Sequence, residues 1–177
     1  MGAFKLKNPD PASPYKDGKY SYSEDLYSLY LLTGDETLLP SIADINPFLK
    51  LAIYNLGWTE RFAAYGLSAA AIDYIVNGRP EALAEAQRII DDLLVRQARH
   101  GSDGSPNPGC IIGNNEWGAD GFSPWMAPML LAQVLRYYEA TGDGRVPGLI
   151  AQIRCVVLLH EVWLFRMEPA VLSLQVI

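Results

Sequence analysis

Glu116 and Asp120 stand four residues apart in the stretch Asn114-Asn115-Glu116-Trp117-Gly118-Ala119-Asp120. Glycoside hydrolysis uses two carboxyl groups, one protonated to release the leaving oxygen and one charged to activate water or attack the sugar. The pair supplies both types, with Glu116 assigned as acid and Asp120 as base or nucleophile. Glu60 is a third carboxylate of the right kind. β-Elimination asks for other groups: donors that neutralise a uronate carboxylate, and a base for the α-proton. Asn114, Asn115, Arg61, His100 and Tyr65 are of those types. Trp58, Trp117 and Trp125 offer flat amphipathic faces for stacking on sugar rings.

Each of these residues also has a plainer role. The two carboxylates can cap the helix that follows or simply be solvated. Tyr65 reads better as core packing on a buried helix. His100, beside Arg99, can be a cation at a helix C-terminus, where the dipole favours positive charge. His160 lies among Leu159, Val162 and Trp163 and reads as part of a covering face.

Other chemistries are excluded by spacing. The chain has two histidines, His100 and His160, sixty positions apart, with no HExxH or HxxxH pattern. Asp103, Asp120 and Asn107 lack the spacing of a calcium loop. No metal site and no cofactor are therefore expected. There is no P-loop, no GxGxxG after a strand and no GxSxG elbow, so phosphate-cradling and serine nucleophile chemistry lack support. Cys110 and Cys155 form no CxxC pair and read as buried free thiols.

The elements that must position these residues are helical. Half of the 177 residues are hydrophobic, 19% are charged, and the formal net charge is -6. That composition belongs to a globular chain with a real core. Without a Lys/Arg cluster, no nucleic-acid partner is expected. The N-terminus has no apolar leader. The longest apolar run, 156–165, is broken by His160 and Glu161 and falls short of the ~20 residues a span needs. No membrane partner is expected, and a cytoplasmic location is the default expectation.

Residues 1–22, with Pro9, Pro11 and Pro14, form a lead-in, and residues 23–177 form one α-hairpin domain. A short helix begins after Ser23 and stops at Gly34, and Pro40 limits or kinks the next. A less regular helix follows Asn46-Pro47 up to about Leu56. From Thr59 to Asn77 the chain is apolar on nearly every side and must be buried. From Pro80 to Ala98 it is amphipathic, with Leu83, Ala86, Ile90 and Leu93 opposite a solvated face of Glu81, Glu85, Arg88, Asp92 and Arg96.

The order then repeats. A second nearly all-apolar helix opens at Ser123-Pro124, passes an awkward Pro128 and ends at Thr141-Gly142-Asp143. A second covering helix follows it. Thr33-Gly34, Asn77-Gly78 and Thr141-Gly142 mark the turns, at spacings of 44 and 64 residues. The extra 20 residues fall in a loop over 99–122, and a loop of that length is usually functional or disordered. No strand alternation appears, so the chain is read as all-α: antiparallel α-hairpins in a double layer.

Buried helix, TGD turn and covering helix together resemble the (α/α) toroid carbohydrate-active enzymes, the six-hairpin glycosidases and the toroid polysaccharide lyases. The residues 116–126 and Tyr137-Tyr138-Glu139-Ala140-Thr141-Gly142-Asp143 carry most of the likeness, which covers about residues 20–160. The resemblance implies a carbohydrate substrate bound by the loops that lead into the inner helices. It implies cleavage of a poly- or oligosaccharide by hydrolysis or β-elimination. The alternative is a non-enzymatic α-hairpin scaffold that binds a peptide, protein or glycan. Toroids of this kind close with more hairpins than the three read here. The apolar stretches 158–165 and 170–177 therefore suggest association of copies through the C-terminus.

Overall fold

The structure, a computed structural model, describes residues 23–45, 59–102, 113–114, 120–121 and 126–151; side chains are described for 23–45, 59–98 and 126–151. Cys110, Cys155, His160, the helix read over 46–56 and the apolar C-terminus lie outside the described residues.

Helix α1 (Ser23–Thr33) carries Glu24 and Asp25 in its first turn. After Gly34 a 3-10 turn (Glu36–Leu38) runs into α2 (39–45). Then come α3 (Glu60–Asn77), α4 (Pro80–Ser102), a two-residue ladder of β1 (Gly113–Asn114) with β2 (Asp120–Gly121), α5 (Ala127–Thr141) and α6 (146–151). The described residues are thus all-α apart from that ladder.

Twelve of the eighteen residues of α3 are buried, on every side of the helix. Its small side chains, Ala63, Ala64, Ala70 and Ala71, let neighbouring helices come close. Around them pack Ile89, Ile90 and Leu93 of α4, Leu130, Val134 and Tyr137 of α5, and Val146 and Leu149 of α6. A second core joins Ile72 of α3 to Leu26 of α1, Leu38, and Ile42 of α2. Ser23 meets Ser68 across a 3.1 Å hydrogen bond, while Leu26 shares a core with Ile72, so α1 runs parallel to α3. Gln97 near the end of α4 donates to the Leu149 carbonyl in α6 at 3.4 Å, and Asp91 earlier in α4 pairs with Arg145 just before α6, so α4 and α6 run in the same direction. α3, α4 and α5, α6 are therefore two hairpins lying side by side, with the starts of α3 and α5 at one end.

The three turns share one construction. Gly34, Gly78 and Gly142 all adopt φ near +66°, and their N–H groups donate to the carbonyls of Tyr30, Tyr74 and Tyr138. In the first and third turns the threonine before glycine donates back to a carbonyl four residues earlier, at 2.7 and 2.8 Å. The aspartate after glycine then caps the next segment: Asp35 accepts from Thr37 N–H at 3.0 Å, and Asp143 from Arg145 N–H at 3.1 Å. In the second turn Asn77 bonds the buried Asp73 carboxylate at 2.9 Å, and Arg79 pairs with that same carboxylate at 3.5 Å.

A Cβ on Gly142 would meet nothing within 4 Å. The cost of Gly142→Ala is therefore the left-handed backbone alone, about 1–2 kcal/mol. Gly144 has equal space and no positive φ. Gly144→Ala should be neutral or stabilising by a few tenths of a kcal/mol. Denaturant melts of both variants check the pair; equal losses would contradict a backbone origin.

Three sequence expectations change. First, α5 buries one stripe, Ala127, Leu130, Gln133, Val134 and Tyr137, and exposes Leu135 and Tyr138. It is not enclosed like α3. Second, prolines expected to limit or kink helices help to start them. Pro40 and Pro128 sit at the second helical position, where an N–H has no helical acceptor, as Pro147 does in α6; Pro80, expected to start a helix, is the first residue of α4. Third, Glu85 is not on a solvated face. It is buried, and Arg88 forks onto its two oxygens at 2.8 and 3.0 Å.

Candidate functional site

The start of α3, the end of α4 and the start of α5 lie at the end of the molecule opposite the three glycine turns. The segment 103–126 connects α4 to α5 there. Within it the ladder sets Gly113 against Gly121 and Asn114 against Asp120. Directly opposed Cα atoms in an antiparallel pair lie about 4.5–5.5 Å apart. Asn114 and Asp120, six positions apart in sequence, are thus brought together, with 115–119 between them in the chain. In the sequence, Gly113-Asn114 and Asp120-Gly121 stand at equal distances either side of Trp117.

His100 belongs to the last turn of α4, not to a loop, since that helix continues to Ser102. Its backbone position agrees with the plainer role of a cation at a helix C-terminus. Arg61 is half-buried in the first turn of α3 and has an interaction partner. Glu60 beside it is only 4% exposed, also partnered, and lies where the helix dipole favours a carboxylate. Thr59 caps this helix, its hydroxyl accepting from Phe62 N–H at 3.2 Å. Tyr65 is half-buried and lies outside the core cluster. Glu116, Asn115, Trp117, Trp125 and Trp58 lie outside the described residues. Among the described residues no group of three His, Cys, Asp or Glu side chains is placed to hold a metal ion, and no helix is long and apolar enough to cross a membrane.

Two charged clusters elsewhere brace the scaffold. Arg136 of α5 pairs with Glu24 of α1 and lies over the Tyr27 ring, and Gln133 donates to Glu24 at 3.0 Å. Burial pushes the Glu24 carboxyl up, but the Gln133 and Arg136 hydrogen bonds outweigh it and the net shift is downward.

At the third turn Arg145 bridges Asp143 at 2.6 Å and Asp91 of α4 at 2.5 Å, while the buried Tyr137 hydroxyl donates to Asp143 at 2.9 Å. Burial first, then the Asp143 carboxylate, push the Tyr137 phenol up, so it stays a donor. The Arg145 guanidinium above all holds the Asp143 carboxyl well below the usual carboxylate range.

A carboxyl depressed on folding stabilises the native state above its unfolded pKa, about 3.9, and loses that contribution as pH falls toward the folded value. Asp143→Asn should therefore cost about 1–2 kcal/mol at neutral pH. The difference from the parent chain should begin to shrink below about pH 4 and keep shrinking in stronger acid. Urea melts across that range check this, and a pH-independent difference would contradict it.

Fold and site together define a class: an all-α protein of helical hairpins with Gly-capped turns, carrying a small antiparallel ladder between α4 and α5. No family model matches the chain, and no curated protein or solved structure gives a match.

Proposed function

We propose that this chain is a carbohydrate-active enzyme of the (α/α) toroid kind, or a piece of one, that cleaves a poly- or oligosaccharide by hydrolysis or β-elimination. The observation that carries the proposal is the pairing of Asn114 with Asp120 in the segment between α4 and α5. Residues of amide and carboxylate type at opposed backbone positions of a ladder suit both routes. For hydrolysis Asp120 acts as base or nucleophile and Glu116 as acid. For elimination Asn114, Asn115 and Arg61 neutralise a uronate carboxylate, and His100 takes the α-proton. Trp58, Trp117 and Trp125 supply stacking faces for the sugar.

The test is a panel of neutral and uronate-containing glycans incubated with the purified chain. New reducing ends without unsaturation mark hydrolysis, and unsaturated products absorbing in the ultraviolet mark elimination. Silence on every glycan, from a chain shown to be folded, would overturn catalysis by the isolated chain and favour the scaffold reading.

A second reading, a non-enzymatic α-hairpin scaffold, draws on the apolar side chains that α1 and α5 expose: Leu29, Leu31 and Leu32 on α1, Leu135 and Tyr138 on α5. Apolar groups left open at the flanks of a helical stack suit a partner surface better than a catalytic one.

A further inference from the structure

We draw no further inference here: the strongest candidate, the apolar patch of Leu29, Leu31 and Leu32 at the exposed end of α1, carries none because nothing among the described residues shows what covers it.

Discussion

Glu116→Gln and Asp120→Asn should each lower glycan cleavage by about 10²–10⁴-fold while leaving the fold intact. That range is what a positioned acid or base contributes to a proton transfer, and an amide of equal shape can neither give nor take the proton. The ladder that holds Asp120 is made of main-chain pairing to Asn114. Changing the side chain to an amide therefore leaves the pairing in place, and helicity and melting temperature should match the parent chain. His100→Gln separates the two routes. It should abolish elimination if His100 is the base, and leave hydrolysis nearly unchanged. Cleavage that survives both carboxylate changes at the parent rate would remove Glu116 and Asp120 from the mechanism.

The largest effect on stability is expected from Leu67→Ala. Leu67 is fully enclosed at the centre of α3, in the core where α4 and α5 meet that helix. Truncating a leucine in such a place costs about 3–5 kcal/mol, the transfer term plus the cavity left behind. Many domains have only about 5–15 kcal/mol in all. Leu135→Ala is the matched control, because Leu135 is 42% exposed on α5. It should cost about 0.5 kcal/mol or less. The two variants differ in burial and not in chemistry, so similar midpoints in a denaturant titration would mean that α3 is not the central helix.

Much of this architecture was legible in the sequence. An all-round apolar stretch from Phe62 to Ile72 has no solvated side to offer, so its burial follows from composition. The period of Leu83, Ala86, Ile90 and Leu93 likewise fixes which side of α4 faces inward. The glycine turns were legible because φ near +66° favours a residue without a side chain.

What failed was anything set by a neighbour rather than by the local pattern. α5 is nearly as apolar as α3 but gathers its apolar residues on one side, with Glu139 on the other; Leu135 and Tyr138 are exposed all the same, because apolarity says that a side should be covered and not that a partner exists. Glu85 looked solvated by its place among charges. Arg88 folds onto it instead.

The candidate site was half legible. The residue types of the 113–121 segment drew attention to it. Its pairing did not, since two residues per strand are too few for alternation to show. Of the residues expected to group, the backbone of Asp120 lies on the ladder, that of His100 in the last turn of α4, and Glu116 lies outside the described residues.

The placement of α1 has a consequence for how the chain is made. Ser23 contacts Ser68, 45 positions later, and Glu24 contacts Arg136, 112 positions later. A ribosome adding about 5–20 residues per second needs roughly 2–9 s to deliver the first of these partners. For that interval the face of α1 bearing Leu26 has no Ile72 to rest on. α3 and α4, joined by a two-residue turn, can meet as soon as both have emerged. α3 is complete before α4 is made, so α1 can meet Ser68 and Ile72 before the α3–α4 hairpin closes, and its ion pair with Arg136 waits longest.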